Sequence, residues 1–292
     1  MNPTPLQVQF DPSSARFGAS RSQKRLEDDR LLEGKGLFSD DRVFARQAWM
    51  VLVRSPHAHA RMMSVELSEA KKRNGIIAAW SMADLRADGV KHIPFPPLFK
   101  RADGSPMAAP PRTPLAEGKV FYVGQPVAAI VAETREQAQD AADRLVVDYE
   151  DLPCVVDPRK AIKAGAPLLW EAASANIAAE ARYGDAATVD KAFHGAAHVC
   201  RIQLHNQRLN AVAMEPRCAI GVHEAGRTTL YTQNQTPTAA RDLLATVFGA
   251  KPAEFRLVNG DIGGGFGMKT GLTPPFGLPT QIIVTPRANA TT

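Results

Sequence analysis

The sequence predicts a mixed α+β fold that is divided into two domains. Its 292 residues suggest two domains of ordinary size. Residues 122–150 show the pattern of a strand, turn, strand, helix and strand, and the stretch at 154–170 has the proline and glycine content of a linker. A second group of strands, with one well-marked helix, follows the linker. We assign this mixture of short strands and a few helices to the α+β class.

The first domain is predicted to follow a polar lead-in. Residues 1–29 are polar and charged, so we expect an extended or partly disordered segment there. Residues 49–54 form a short apolar run closed by a Ser-Pro pair and predict a strand. Residues 68–73 favour a helix that Gly75 ends, and residues 76–80 predict a second strand.

The middle of this domain is predicted to contain a loop, followed by a turn between two strands. Residues 93–117 are rich in proline and have little periodicity, which predicts a loop. Residues 120–123 and 127–132 then predict two strands joined by a turn at Gly124-Gln125-Pro126.

A helix and a strand complete the predicted unit. Thr134 can cap a helix, and Gln137 three residues later completes a capping box. Residues 146–150 then alternate as a strand does. The apolar positions of the predicted helix recur at helical spacing: Ala138, Ala141, Ala142 and Leu145.

The second domain combines strand-like runs, one helix and a glycine cluster. Pro237 in a first turn and Gly249 at the end predict a helix over 237–248. From Leu272 onward the sequence has no acidic residue and no helical periodicity. We therefore expect residues 272–292 to be a divergent tail without a helix or strand. The predicted strands are 197–204, 211–222, 228–232 and 255–258.

Composition argues against several classes of protein. The net charge is +5, but the basic residues are scattered, which argues against a nucleic-acid partner. No apolar run is long enough for a membrane span, and residues 1–11 lack a signal-peptide pattern, so we expect a cytoplasmic protein. The three cysteines are odd in number and contain no C-x-x-C pair, so we expect small buried thiols and no metal ligands.

The glycine cluster Gly263-Gly264-Gly265-Phe266-Gly267 is the most informative site. Clustered glycines let backbone N–H groups approach a phosphate or an oxo group closely. A Walker A loop needs Gly before the Lys-Thr pair, but Met268 precedes Lys269 here. The spacing of a Rossmann fingerprint is also missing. Taken alone, the cluster is equally consistent with a plain tight turn.

Five signatures, in order, resemble those of one enzyme family. Arg54-Ser55-Pro56-His57-Ala58-His59-Ala60 and Tyr122-Val123-Gly124-Gln125-Pro126-Val127-Ala128 are similar to segments of the α/β hammerhead domain in molybdenum hydroxylases of the xanthine dehydrogenase, aldehyde oxidase and carbon monoxide dehydrogenase family. The order Thr232-Gln233-Asn234, helix, strand and glycine cluster is similar to that family's molybdopterin-binding domain. The lead-in from Lys24 and the segment Met214-Glu215-Pro216-Arg217 strengthen the resemblance.

The resemblance implies domains and site residues. It implies a hammerhead domain over 30–153 and the N-terminal portion of a molybdopterin-binding domain over 171–271. Gln233 would approach an oxygen ligand on molybdenum, while the loop lines the site through its backbone and donates no side-chain metal ligand. The loop residues implied in cofactor binding are Gly264, Gly265, Phe266 and Gly267.

The resemblance also implies the chemistry and the partners. It implies hydroxylation of an aldehyde, an N-heterocycle or a related small molecule, with water as the oxygen source. The implied cofactor is molybdenum with molybdopterin, as the cytosine dinucleotide. Electrons would leave through [2Fe-2S] clusters on a small subunit and FAD on a medium subunit. Thr270 stands where purine-oxidising members carry a glutamate, and Met268 replaces a glycine, so xanthine is a less favoured substrate.

The expected catalytic base is a further point of the resemblance. The family places its glutamate base nearer the C-terminus, so we expect it beyond this chain, and Glu215 is not expected to be that base. The expectation is therefore a C-terminally truncated large subunit that is inactive alone. The alternatives are a non-catalytic fragment that binds no cofactor, or a subunit-interaction module built on the hammerhead domain.

Overall fold

A computed structural model describes residues 25–95, 97–101, 103–207, 209–270 and 282–284. The chain divides into two compact units, 1–37 and 38–292. In the first unit, helix α1 (Asp28–Leu32) begins at Asp28, which forms an ion pair with Arg25 at 2.7 Å. The expectation of an extended lead-in is therefore wrong from Asp28 onward, because acidic residues in the first turn favour the helix. The rest of the predicted lead-in, residues 1–24, lies outside the described residues.

The second unit contains the other helices and strands. In chain order they are β1 (Trp49–Arg54), β2 (Ala60–Glu66), α2 (Ser68–Lys71), β3 (Ile76–Trp80), α3 (Met82–Ala87), β4 (Lys119–Val120), β5 (Pro126–Ala132), α4 (Arg135–Ala142), β6 (Val146–Asp151), α5 (Pro158–Ala161), α6 (Ala186–His194), β7 (Ala219–Glu224), β8 (Arg227–Thr232), α7 (Pro237–Phe248), β9 (Phe255–Val258) and β10 (Ile282–Val284).

The strand β5 lies at the centre of the first sheet. The order is β1-β5-β3, with both neighbours antiparallel to β5. Every residue of β5 is buried, since strands cover both of its edges and side chains cover both of its faces. Helix α4 buries its alanine face against this sheet, in one core cluster with Ile130. The predicted capping box is confirmed, with Thr134 Oγ1 accepting a hydrogen bond from Gln137 N.

The second sheet has the order β4-β2-β6 and is also antiparallel. The predicted strand at 120–123 is wrong beyond Val120, and the two-residue strand β4 pairs with β2. The reason is local. The backbone N–H of Phe121 donates to the side chain of Gln125 at 2.8 Å, so the turn begins before the chain reaches Gly124.

The third sheet has the order β10-β7-β8-β9. β7 and β8 form an antiparallel hairpin, whereas β8 and β9 are parallel and are joined through α7. The predicted helix over 237–248 is confirmed, and Gly249 ends it in the left-handed conformation with φ +64°. Because β8 and β9 are parallel, their carboxyl ends lie at the same edge of the sheet.

Several predictions for the second half of the chain are wrong. Residues 197–204 form no strand, and the strand predicted over 211–222 begins only at Ala219. Within the described residues no strand pairs with them, and an extended segment needs a neighbour for its N–H and C=O groups. Helix α6 was not predicted, although the side chain of Asp185 caps it by accepting a hydrogen bond from Thr188 N.

The proline-rich loop, the linker and the tail differ in how well they were predicted. The loop over 93–117 is confirmed for its described residues, which make only isolated bridges, such as Ile93 with Arg112. The linker contains the short helix α5, capped by Asp157. The tail was expected to contain no element, but β10 pairs in parallel with β7, since Ile-Ile-Val is β-branched and favours extended backbone. The rest of the tail, 272–281 and 285–292, lies outside the described residues.

None of the helices in the described part of the chain is long and apolar enough to cross a membrane.

Candidate functional site

The carboxyl edge of the parallel pair β8 and β9 gathers the sequence-predicted site segments. Gln233 and Asn234 follow β8, and Asn259 follows β9 shortly before the glycine cluster. The side-chain amide of Asn259 donates to the backbone oxygen of Asn234 at 2.6 Å, which ties the two strand ends together. Ligands of open sheets bind at the carboxyl ends of parallel strands, so this edge is the candidate site.

Gln233 is buried, and its amide holds the segment that leads into β7. Its Oε1 accepts a hydrogen bond from Cys218 N at 3.0 Å, and its Nε2 donates to Pro216 O at 3.3 Å. Thr232 adds a third bond to this segment, from its hydroxyl to Cys218 O at 3.0 Å. A side-chain amide nitrogen carries two hydrogens, so the bond to Pro216 leaves the second for another acceptor.

The glycine loop, residues 263–267, needs glycine because of close approach. A Cβ on Gly263 would lie 2.5 Å from the Cβ of Glu215, and a Cβ on Gly265 would lie 2.7 Å from the Cδ of Gln235. Gly264 and Gly267 both have positive φ. Phe266 adopts the left-handed conformation with φ +50°, and it is 73% exposed. The loop is therefore a tight backbone structure that exposes its aromatic side chain.

The backbone N–H groups of the loop and of the residue that follows it divide into two sets. Gly263 N donates to Glu215 Oε2 at 2.8 Å, and Met268 N donates to Gly265 O at 2.8 Å. The N–H groups of Gly264 through Gly267 donate to nothing in the part of the chain that the structure describes. Consecutive N–H groups in such a turn form a concavity that suits an anionic or oxygen-rich ligand.

Gln235 lies against the glycine loop and bonds with Lys269 just beyond it, which was not predicted from the sequence. Gln235 N donates to Lys269 O at 2.8 Å, and its Oε1 accepts from Lys269 N at 3.3 Å. The sequence signal was present, because Gln235 stands only two residues after Gln233 in the same strand-end segment. Gln233 bonds with residues 216 and 218 instead, and its proximity to Phe266 stays a prediction.

A buried ion pair lies beneath the loop and was also missed. Lys269 Nζ lies 3.0 Å from Glu215 Oε2, and the two side chains are 2% and 8% exposed. Ser39 N donates to the other carboxylate oxygen at 3.4 Å. Arg217 donates to the backbone oxygen of Met268. No local signal could have paired residues 54 positions apart, since the topology alone brings them together.

The cysteines differ from the expectation of three buried thiols. Cys218 is buried, but Cys154 and Cys200 are exposed because each lies in an exposed segment without a strand or helix. Burial raises the pKa of the Cys218 thiol to about 12, and the carboxylate of Asp40, 3.8 Å from its sulfur, contributes to that shift. Cys218 is therefore a neutral packing residue beside the site.

The histidines of the first domain make structural contacts. His57 Nδ1 lies 2.6 Å from Asp151 Oδ1, and its ring packs on Tyr149. His59 is buried, with Nδ1 2.9 Å from Pro153 O. Over the described residues, no three His, Cys, Asp or Glu side chains are grouped as metal ligands.

Two family models match the chain. Residues 33–153 match the a/b hammerhead domain of aldehyde oxidase and xanthine dehydrogenase, and residues 169–279 match the molybdopterin cofactor-binding domain. The second match contains Gln233, Gln235 and the whole glycine loop.

The chain is similar to proteins that are named as large subunits or large chains. It is 32% identical to the nicotine 6-hydroxylase large subunit of Paenarthrobacter nicotinovorans, covering 91% of this chain and 32% of that protein. It is also 32% identical to the carbon monoxide dehydrogenase large chain of Afipia carboxidovorans, covering 91% and 34%. The chain thus spans about a third of the length of the curated relatives it matches.

Solved structures show the same architecture. A crystal structure of the Cu,Mo-CO dehydrogenase, in the carbon monoxide reduced state, superposes with a TM-score of 0.75 at 30% identity, covering 90% of this chain and 35% of that chain. Quinoline 2-oxidoreductase from Pseudomonas putida 86 superposes with a TM-score of 0.74 at 27% identity, covering 91% and 34%.

Proposed function

Because the chain belongs to the molybdopterin-binding large subunits of the xanthine dehydrogenase, aldehyde oxidase and carbon monoxide dehydrogenase family, we propose that it contributes the glycine-loop side of a molybdenum hydroxylase site. The observation that carries this proposal is the row of N–H groups from Gly264 to Gly267, at the carboxyl edge of β8 and β9. The domains that this function uses are the hammerhead domain over 30–153 and the partial cofactor-binding domain over 171–271, joined by the linker at 154–170.

The residues of the loop fit an oxygen-rich cofactor. The four N–H groups are preorganised donors, and donors held in place suit charge on a ligand oxygen. Gln233 keeps a second amide hydrogen beside the same edge, and an amide can donate without adding charge. The proposed cofactor-binding residues are Gln233, Gly264, Gly265, Phe266 and Gly267. The proposed cofactor is molybdenum with molybdopterin cytosine dinucleotide.

When bound, the molybdenum centre supplies the oxidising power for hydroxylating an electron-poor carbon with oxygen from water. The N–H groups of the loop and the side-chain amide of Gln233 would hold that group in position. Glu215 does not act as the base, because its carboxylate is buried and accepts from Lys269, Gly263 and Ser39. The proton that leaves the water must therefore be taken by a base other than Glu215.

The proposed partners are an iron–sulfur small subunit and an FAD-binding medium subunit. The family resemblance supports them, since the relatives are named as large subunits or large chains.

The proposed substrate is a small N-heterocycle or an aldehyde. Thr270 supplies no carboxylate that could grip a purine ring. The names of two similar proteins, nicotine 6-hydroxylase and quinoline 2-oxidoreductase, support the N-heterocycle.

Metal content tests the proposed function. The 292-residue chain is purified from a host that makes molybdopterin, and bound molybdenum and pterin are measured per polypeptide. Dye-linked oxidation of quinoline and of an aldehyde is measured in parallel, with and without small and medium subunits of a similar enzyme. Stoichiometric molybdenum supports the proposal, and a metal-free chain in every preparation contradicts it and favours the non-catalytic alternative.

A further inference from the structure

One carboxylate oxygen of Glu215 binds the first residue of the glycine loop and a residue just beyond its end. Oε2 of Glu215 accepts from the backbone N–H of Gly263, where the loop begins, at 2.8 Å. The same oxygen lies 3.0 Å from Nζ of Lys269, two residues after the loop ends. The backbone of Glu215 also donates to Gly263 O at 3.1 Å. The side chain of Glu215 therefore bridges the two ends of the segment 263–269.

A second residue, Gln235, also holds the C-terminal end of this segment. Gln235 exchanges two hydrogen bonds with the backbone of Lys269, one through its own N–H and one through its side-chain oxygen. Lys269 is thus held by its backbone to the strand end of β8 and by its ammonium to Glu215. The loop is therefore held both to the end of β8 and to the segment that precedes β7.

Burial makes the ion pair between Glu215 and Lys269 important for the position of the loop. The side chains of Lys269 and Glu215 are 2% and 8% exposed, so water cannot replace either partner without opening the loop. Removal of one partner from such a pair leaves an uncompensated charge, which is far more unfavourable than the loss of an exposed pair. An ion pair at this place therefore allows one arrangement of the loop backbone and disfavours others.

We propose that Glu215 and Lys269 are positioning residues that hold the N–H groups of Gly264–Gly267 in the arrangement that receives the cofactor. This inference rests on the proposed function of the loop. Neither side chain needs to contact the cofactor or the substrate. Both act by holding the backbone of the loop in place.

The test measures loop protection separately from cofactor content. Lys269→Met keeps the length of the side chain but removes its charge, and Lys269→Arg keeps the charge. Hydrogen–deuterium exchange is followed at the amides of Gln235 and Met268, whose bonds do not use the substituted side chain. In Lys269→Met we expect exchange there to accelerate about tenfold or more, with amides of β5 and α4 unchanged. Molybdenum and pterin content should fall by a similar factor, and Lys269→Arg should retain most of both.

A matched control and a double variant complete the design. Lys72→Met removes an exposed ion pair with Glu69, at 2.8 Å, and should change neither readout. The neutral double variant Glu215→Gln with Lys269→Met should protect Gln235 better than Lys269→Met alone, because no buried charge remains unpaired.

The outcomes are distinct. Unchanged exchange at Gln235 and Met268 in Lys269→Met overturns the proposal, as does equal acceleration throughout the protein, which would indicate a general structural role. If the wild-type chain carries no molybdenum, the proposed function fails while the exchange data still decide whether the pair holds the loop. Local acceleration with loss of cofactor, rescued by arginine, supports the proposal.

Discussion

The side-chain oxygen of Gln233 accepts a hydrogen bond from the backbone N–H of Cys218 at 3.0 Å, in the buried interior beside the candidate site. The same amide donates to Pro216 O at 3.3 Å, so one side chain joins the end of β8 to the segment before β7. A residue expected to face a cofactor thus also supports the local structure. Substitution of Gln233 is therefore expected to change stability as well as cofactor binding.

Gln233→Ala should lower the free energy of unfolding by about 1–3 kcal/mol, because it leaves the buried N–H of Cys218 without its acceptor. Urea denaturation of the purified chain measures this change. Gln203→Ala, at an exposed position, serves as the control and should have little effect. Equal stabilities for the two variants would contradict the hydrogen bond between Gln233 and Cys218.

Gly263→Ala should lower the free energy of unfolding by about 1–3 kcal/mol, since the new Cβ would lie 2.5 Å from the Cβ of Glu215. Gly195→Ala is the matched control, because a Cβ there meets Lys191 O at an ordinary 3.6 Å. Thermal or urea unfolding compares the two variants. A Gly263→Ala protein as stable as Gly195→Ala would show that the loop can move away from Glu215 at little cost.

The three cysteines should react with iodoacetamide at very different rates. The thiolate is the reactive form, and burial with the nearby Asp40 raises the pKa of Cys218 to about 12. At pH 8 only about one Cys218 in ten thousand is then ionised. Mass spectrometry should find rapid labelling of the exposed Cys154 and Cys200, and labelling of Cys218 only in denaturant. Rapid labelling of Cys218 in the native chain would be inconsistent with its burial.

The segment 199–212 should cause the chain to associate as its concentration rises. Its large apolar side chains are exposed, and an apolar surface of this kind favours association. Light scattering at increasing protein concentration measures the effect. A variant with serine at four exposed positions should remain smaller, and equal association of both chains would contradict the prediction; these positions are Ile202, Leu204, Leu209 and Val212.

Thr134→Ala should lower the free energy of unfolding by about 1 kcal/mol, because the capping bond from Gln137 N is lost. Thr134→Ser keeps the hydroxyl oxygen and should retain most of the stability. Urea denaturation of both variants tests the difference, and identical midpoints for alanine and serine would show that the cap contributes nothing measurable.

Elements with strong local signals could be predicted from the sequence. The capping box at Thr134 and Gln137 and the proline and glycine that bound α7 depend on residues within one or two turns, so neighbouring letters contain the whole signal. The order of the five signatures identified the family for the same reason. The strand predicted over 197–204 is wrong because a strand-like run shows only a local preference, whereas a strand also requires a partner.

The sequence by itself determined the glycine loop, the preceding strand and helix, and the family to which they belong. Only the tertiary structure decided which side chains surround the loop. The parallel crossover from β8 through α7 to β9 brings Gln235 to Lys269, and the segment before β7 brings Glu215 beneath Gly263. Such contacts depend on how distant segments pack, and neither the spacing nor the type of these residues encodes that packing locally. A buried ion pair between residues 54 positions apart becomes visible only when the sheet has formed.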